Sequence, residues 1–338
     1  MTTPIQQAIK QLTERCDLPA DLMREAMHQI MAGQATPAQI AGLLVGLSVK
    51  GETVEEIVAA ATVMRELADG LTGLAGPLTD IVGTGGDGAS LFNVSTASAF
   101  VAAAGGARIA KHGNRSVSSR SGAADVLEAA GVKLELTAVQ LGRAVEQLGI
   151  GFLFAPMHHA AMRHAVAPRR ELGVRTLFNL LGPMTNPAGA TRQVLGVFDR
   201  RWLRPLAEAL RELGSEHVLV VHSADGLDEF SIAAPSYVAE LKDGQVEQWV
   251  FDPQLAEGAS LESLKVNDAA ESLGLIRRAL GGEPGPAAEI IALNAGAALY
   301  VSGQAESMSD GIGIAGELLA QGQALKLLED YAAWSQHA

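Results

Sequence analysis

The sequence is short of cysteine and of long apolar runs, and each shortage excludes a kind of protein. Cys16 is the only cysteine among 338 residues, so neither an internal disulfide nor a thiolate zinc site within one chain is available. No uninterrupted apolar run approaches the roughly 18 residues that a membrane span requires. The first residues lack the basic flank and apolar core of a secretion signal. We therefore expect a soluble cytoplasmic protein that binds no membrane.

Basic and aromatic residues are also scarce. The 25 Lys and Arg residues are outnumbered by 38 Asp and Glu, and the net charge of −13 argues against a nucleic-acid partner. Aromatic residues make up only 4%, whereas glycine, with 37 residues, is typical of tight turns and close backbone approaches. Hydrophobic residues make up 48%, which is enough for the core of one large domain or two unequal ones.

The first 70 residues predict helices only. Thr3, Thr36 and Thr53 are each placed to cap a helix, and apolar residues follow each of them at spacings of three and four. A fourth helix is predicted around residues 22–31. Several glycines and Pro77 then break the pattern. We predict a helical domain over residues 1–72 and a second domain over residues 73–338.

The second domain alternates short β-prone runs with helical ones, which predicts an α/β fold with a mainly parallel central sheet. A polar segment rich in histidine and arginine, about 160–190, interrupts the alternation, and we expect it to return to the N-terminal helices. A hairpin turn is predicted at 242–244, and helices again from about residue 267. The predicted strands are 80–82, 108–111, 132–136, 192–198 and 217–222, and the predicted helices between them are 93–104, 123–130, 138–148 and one ending at 213.

Two loops that follow predicted strands are suited to phosphate. The run GTGGDG at 83–88 precedes NVST at 93–96, so bare N–H groups and a helix N-terminus are available to an anion. The run KHGNRSVSSRSG at 111–122 concentrates cations and hydroxyls in an acidic chain. The alternatives are an ordinary glycine-rich turn and a solvated basic loop. Because ligands of parallel sheets bind at the carboxyl ends of strands, the two loops together favour a phosphorylated ligand.

The carboxylates of DGLDE at 225–229 follow a third predicted strand. They are compatible with acid–base chemistry, with a metal site or with a solvated turn, and the phosphate loops favour Mg²⁺ among these. The spacing of His158, His159 and His164 is not that of a zinc site. We predict instead that they are neutral and line a pocket or pack in a helix. Glu171 is surrounded by Arg169, Arg170 and Arg175, so each of them forms an ion pair or faces a cleft, where it would bind a carboxylate.

Five motifs in this order resemble anthranilate phosphoribosyltransferases, over nearly the full chain. They are DIVGTGGDG, FNVSTASAFVAAAGG, KHGNRSVSSRSGAADVLEAAGV, RRELGVRTLFNLLGPMTNPA and DGLDE. The resemblance implies a small helical domain joined to a larger α/β domain of the nucleoside phosphorylase/phosphoribosyltransferase type, paired as a homodimer through the helical parts. It also implies 5-phosphoribosyl 1-diphosphate as donor, anthranilate as acceptor and Mg²⁺ as cofactor.

The same resemblance assigns roles to residues. Arg169 would bind the anthranilate carboxylate, and the other acceptor residues would be Gly83, His112, Asn114 and His159. The metal would be held by Asp228 and Glu229, with a contact from Ser95. The positions implied for the donor are Gly83, Gly86, Asp87, Asn93, Val94, Ser95, Thr96, Lys111, His112, Gly113, Asn114, Arg115, Ser116, Val117, Ser118, Ser119 and Ala123. Leu91, Ala160 and Pro168 depart from the family pattern.

Two other functions share part of this pattern. Pyrimidine nucleoside phosphorylases have a similar layout and a similar phosphate loop, but RRELGVRT and NVST favour the transferase. A non-catalytic paralogue that binds nucleic acid would carry a basic surface and a damaged donor site. Here the sequence pI is about 5.1, and all the donor motifs are present.

Overall fold

The computed structural model describes residues 2–71, 73–86, 88–116, 121–253 and 260–338. The four helices predicted near the N-terminus are confirmed as α1 Pro4–Thr13, α2 Ala20–Met31, α3 Pro37–Lys50 and α4 Val54–Glu66. Thr36 Oγ1 accepts the Gln39 N–H at 3.3 Å, and Thr53 Oγ1 accepts the Glu56 N–H at 3.2 Å. These side chains satisfy N–H groups that have no partner within the helix.

The remaining described residues form one sheet and its flanking helices. The strands lie in the order β3-β2-β1-β4-β5-β6-β7, the first five parallel and the last two antiparallel. The strands are β1 Thr79–Gly83, β2 Ile109–Gly113, β3 Ile150–Phe154, β4 Arg192–Gly196, β5 His217–Ser223, β6 Ser236–Lys242 and β7 Gln245–Phe251. The helices are α5 Val94–Ala104, α6 Ala123–Ala129, α7 Ala138–Leu148, α8 Ala155–His158, α9 Arg163–Leu172, α10 Leu177–Met184, α11 Leu203–Glu212, α12 Ala269–Leu280, α13 Pro286–Ser302, α14 Met308–Ala320 and α15 Gln323–His337.

The predicted fold class is confirmed, and so is the hairpin that joins β6 to β7. Asp243 and Gly244 both have positive φ, 51° and 73°, as a two-residue hairpin with the right twist requires. Among the described helices, none is both long and apolar enough to cross a lipid bilayer.

One predicted strand is wrong and one observed strand is unpredicted. Residues 132–136 form no strand, and the Lys133 N–H donates to Ser335 Oγ of α15 at 2.9 Å. This backbone therefore finds a partner on a helix instead of on a neighbouring strand. The third strand is β3, whose five residues are all buried, so it lacks the polar–apolar alternation by which half-exposed strands are detected.

The two faces of the sheet are covered by different helices. On one face, Leu195 of β4 and Val220 of β5 share a core with Leu44 of α3, Ala165 of α9 and Leu181 of α10. On the other face, the core is formed with α5, α12, α13, α14 and α15. The segment of α9 and α10 therefore lies against the N-terminal helices, while a boundary at residue 72 stays a prediction.

The two central strands separate along their length. β1 pairs with β2 at one register position, Thr79 with Ile109, whereas β1 and β4 pair at five positions. The separation opens toward the carboxyl ends of the strands, where the predicted site lies.

Candidate active site

The predicted loops meet at one edge of the sheet. The glycine-rich loop follows β1, the basic loop follows β2, and the carboxylate motif follows β5, so all three leave parallel strands at their carboxyl ends. Such an edge, close to where the strand order reverses, is where open α/β sheets bind their ligands.

Asp228 reaches into the glycine-rich loop. Its Oδ2 accepts the Gly85 N–H at 2.8 Å, and a Cβ on Gly83 would lie 2.6 Å from the same oxygen. On the neighbouring strand, a Cβ on Gly196 would lie only 1.5 Å from the Asp228 carbonyl oxygen. The approach of the carboxylate therefore depends on glycines in two different strands.

Glu229 lies at the start of α5. Its Oε1 accepts the Ser95 N–H at 3.1 Å, so the carboxylate sits at a positive helix terminus. Asn294 of α13 fixes the next residue, because it accepts the Phe230 N–H at 3.0 Å and donates to the Phe230 carbonyl at 2.9 Å. Glu229 is thus held by its carboxylate, which binds Ser95, and by the anchored backbone of the next residue.

The two carboxylates and Ser95 line a small cavity together with Gly83. Its volume is about 10 Å³, which is close to what a single water-sized occupant requires. Carboxylate and hydroxyl oxygens are hard donors, and Mg²⁺ is commonly held by one or two carboxylates together with substrate oxygens and water. The residues present therefore fit magnesium.

Lys111 and Asn93 connect the basic loop to the rest of the site. The buried Lys111 Nζ donates to the Ile81 carbonyl at 2.6 Å and to Ser95 Oγ at 3.3 Å. Asn93 Oδ1 accepts hydrogen bonds from Ser121 Oγ at 2.8 Å and from Ser272 Oγ at 3.0 Å. Asn93 therefore ties the end of the basic loop to the start of α5.

Arg115 is occupied by acidic residues of α6. Its Nη1 lies 3.1 Å from Asp125 Oδ1 and 2.7 Å from Glu128 Oε2, and these neighbours raise the pKa of Arg115. The Ser116 N–H donates to the other Asp125 oxygen at 3.0 Å. A donor phosphate would therefore compete with existing ion pairs for this guanidinium, and its donor role stays a prediction.

The remaining donor positions have mainly backbone or packing contacts. The Asn114 carbonyl accepts the Ala124 N–H at 3.2 Å, and a Cβ on Gly113 would lie 3.3 Å from Ala123 Cβ. Val94 and Thr96 are buried in the first turn of α5. Asp87, Val117, Ser118 and Ser119 lie outside the described residues.

Two buried histidines pair beside the basic loop. The ring centroids of His112 and His159 are 5.2 Å apart. Burial lowers the pKa of His112 to about 3 and that of His159 to about 4, so both rings are neutral at neutral pH. Neither Nε2 has a hydrogen-bond partner among the described residues. Two neutral rings with open polar atoms are suited to lining a pocket for a flat, partly polar ligand.

Arg169 is half-buried in α9. Its guanidinium lies 5.2 Å from the centroid of the Phe178 ring, and burial lowers the pKa of Arg169. Within the described ranges of the chain, its side chain makes no hydrogen bond or ion pair, with Glu171 or with any other residue. A half-buried arginine without a counter-charge is suited to a carboxylate brought by a ligand.

Several residues of this edge have no assigned role in the sequence predictions. Arg175 packs on the Phe198 ring at 4.2 Å and donates to the Gly86 carbonyl. Asp80 and Asn186 are buried between β1 and β2. Asp80 could have been identified from the sequence, because it is a charged residue inside an otherwise apolar strand. Gly196 and Asn294 have no such local signal, because the residues that they contact are distant in sequence.

The departures from the family pattern have local structural contexts. Leu91 forms an isolated antiparallel bridge with Lys265. Ala160 lies in a short 3₁₀ turn, Ala160–Met162, and the buried Pro168 lies inside α9.

A larger cavity of about 760 Å³ lies at the opposite edge of the sheet, where Arg192 and His217 begin their strands, and no predicted site residue lines it.

Comparison with known proteins places the chain in a family. The chain matches the "Glycosyl transferase family, helical bundle domain" over residues 6–68 and the "Glycosyl transferase family, a/b domain" over residues 75–325. It is 58% identical to the anthranilate phosphoribosyltransferase of Thioalkalivibrio sulfidiphilus, over 98% of each chain.

Solved structures agree with this match. The anthranilate phosphoribosyltransferase of Thermus thermophilus superposes with a TM-score of 0.91 at 49% identity, over 97% of this chain and 99% of that one. The Saccharomyces cerevisiae enzyme, solved with PRPP (5-phosphoribosyl 1-diphosphate) and Mg, superposes with a TM-score of 0.89 at 26% identity, over 99% and 98%. These relatives favour the transferase over the phosphorylase. The chain belongs to the anthranilate phosphoribosyltransferase family.

Proposed function

We propose that this protein transfers the 5-phosphoribosyl group from 5-phosphoribosyl 1-diphosphate to the amine of anthranilate, giving N-(5-phosphoribosyl)anthranilate and diphosphate, a step of tryptophan biosynthesis. The observation that carries the proposal is the convergence of Asp228 on the glycine-rich loop and of Glu229 on the start of α5. Phosphate-binding backbone and metal-binding carboxylates thereby lie side by side at one edge of the sheet.

On the donor side, the glycine-rich loop and the start of α5 bind the diphosphate through backbone N–H groups. Asp228 and Glu229 hold Mg²⁺, which when bound neutralises charge on the leaving diphosphate. Lys111 adds a positive charge beside Ser95, at 3.3 Å from its hydroxyl. The yeast relative, solved with PRPP and Mg, supports the choice of this donor and this metal.

On the acceptor side, Arg169 binds the carboxylate of anthranilate, and the neutral rings of His112 and His159 line the approach. Gly83 and Asn114 complete this pocket. An aniline amine is uncharged at neutral pH, so we assign no residue as a general base. Rate acceleration then comes from positioning the two substrates and from stabilising the leaving group.

We also propose that the enzyme is a cytoplasmic homodimer paired through its helical parts. Val49 of α3 and Val166 of α9 are exposed by 70% and 53%, and α3 and α9 lie against each other. Exposed valines on adjacent helices are suited to burial against a second copy.

The proposed reaction is tested by following anthranilate fluorescence when the protein is mixed with phosphoribosyl diphosphate. We expect the fluorescence to decay only when donor, acceptor and Mg²⁺ are all present. Phosphorolysis of thymidine and uridine is measured with the same preparation. No decay with folded protein and intact donor would contradict the proposal, and phosphorolysis would replace it.

Replacing Arg169 with alanine tests the acceptor site. We expect the KM for anthranilate to rise about 10- to 100-fold, because a charge-assisted, two-pronged contact to the carboxylate is lost. The KM for the donor should change less than about threefold, since donor contacts lie on other loops. Arg170→Ala, at the exposed neighbouring position, is the matched control. An equal rise in the KM for anthranilate and in the KM for the donor in R169A would contradict this role.

A further inference from the structure

The gap between β1 and β2 is filled by three side chains. Those strands share one register pair, although β2 and β3 share five. Backbone groups that face the gap need other partners, because unpaired buried N–H and C=O groups are strongly unfavourable. The partners are Asp80 of β1, Lys111 of β2 and Asn186, which follows α10.

Each of these side chains replaces a missing contact between the strands. Asp80 Oδ1 accepts the His112 N–H at 3.1 Å, and Lys111 Nζ donates to the Ile81 carbonyl at 2.6 Å. Asn186 Nδ2 donates to Asp80 Oδ2 at 2.8 Å and to the Ala110 carbonyl at 2.7 Å. The three side chains therefore hold the strands apart while satisfying the backbone of both.

Two of these three side chains are buried and carry opposite charges. Asp80 is fully buried, and Lys111 is only 3% exposed. Burial raises the pKa of Asp80 to about 6 and lowers the pKa of Lys111, and the opposite charge of the other residue works against each shift. Asp80 binds the backbone of the residue after Lys111, and Lys111 binds the backbone of the residue after Asp80, so a shift of either charge displaces the strand that carries the other.

We infer that Asp80 and Asn186 are positioning residues, which keep β1 and β2 apart and hold the Lys111 ammonium at Ser95, where the donor binds. They act through Lys111 and touch no substrate. The inference rests on the proposed donor site, but it concerns donor binding alone and needs no turnover of anthranilate.

A double-mutant cycle on donor affinity tests this inference. The Kd of phosphoribosyl diphosphate with Mg²⁺ is measured by calorimetry for the wild type, D80N, K111M and D80N/K111M. We expect D80N to weaken donor binding about 10- to 100-fold, and to change it less than about twofold when Lys111 is already methionine. If Asp80 only stabilised the fold, D80N would weaken donor binding equally in the wild-type and K111M backgrounds. That result, or an unchanged donor Kd in D80N, would overturn the inference.

Gln193→Met is the matched control. Gln193 is the register partner of Asp80 on β4, is equally deep in the sheet, and donates to the Pro183 carbonyl at 2.6 Å, at the C-terminal end of α10. We expect Q193M to lower the unfolding midpoint while leaving the donor Kd within about threefold of the wild type.

Asn186→Ala keeps the inference testable if D80N fails to fold. It removes the hydrogen bonds to Asp80 and to the Ala110 carbonyl but leaves both charges in place. We therefore expect the donor Kd to rise about 3- to 10-fold, and this rise to disappear in the K111M background. The fluorescence assay on the wild type separates the two proposals. A wild type that binds donor without consuming anthranilate contradicts the proposed reaction but not the role of Asp80.

Discussion

Replacing Asp228 and Glu229 together by their amides is expected to lower kcat/KM by about 1,000-fold or more and to remove its dependence on Mg²⁺. Each amide keeps an oxygen that can accept the Gly85 or Ser95 N–H, so the loops retain their backbone hydrogen bonds. What the double variant loses is two negative charges beside the glycine-rich loop. The measurement is the initial rate of transfer across a magnesium titration.

A control with the same change in net charge separates local from global effects. Asp243→Asn with Glu247→Gln also removes two negative charges, but at exposed positions of the β6–β7 hairpin. We expect this control to keep its rate and its magnesium response. If D228N/E229Q behaved like the control, the carboxylates would not be the metal ligands.

Replacing Gly196 with alanine is expected to disrupt the site through the backbone. The added Cβ would lie 1.5 Å from the Asp228 carbonyl oxygen and 2.5 Å from its carbon, so β4 or the carboxylate loop must move. Overpacking of this kind typically lowers the free energy of unfolding by about 1–3 kcal/mol. Because the loop that moves carries both carboxylates, we also expect kcat/KM to fall by about 100-fold or more.

Gly274→Ala in α12 is the control for this substitution. A Cβ there meets no atom of the described residues within 4 Å, and alanine favours a helix interior over glycine by about 0.5–1 kcal/mol. Urea unfolding and magnesium titration of activity are measured on both variants. A G196A protein with unchanged magnesium affinity would show that the close contact with Asp228 is not needed.

The sequence predicted those parts of the fold that have local signals. Threonines mark the starts of α1, α3 and α4, although only Thr36 and Thr53 accept a capping hydrogen bond through the side chain, and Asp243 with Gly244 marks the β6–β7 turn. The strand at Ile150–Phe154 has no such signal, because a five-residue buried run lacks periodicity. Residues 132–136 alternate like a strand, yet they lie outside the sheet.

The residues of the candidate site divide in the same way, into those with a local sequence signal and those without one. The glycine-rich loop, the basic loop and the 225–229 carboxylates were predicted because each is a contiguous motif. Gly196, Asn294 and Asn186 were missed because each contacts a residue far away in the sequence, Asp228, Phe230 and Asp80 respectively, which composition and spacing do not reveal. The predicted partner of Arg169 is a ligand, which the R169A measurement tests.

The hydrogen bonds that bring the carboxylates into place have a consequence for folding. The Gly85–Asp228 contact closes 143 residues of chain, and the Ser95–Glu229 contact closes 134. Contacts of such separation form late, because the entropy of closing long loops is lost before the contacts stabilise the structure. We therefore expect a refolding chain to form its helices well before Asp228 and Glu229 reach the proposed metal site. Since Asn294 also fixes the carboxylate loop, the site is complete only after α13 has docked on the sheet.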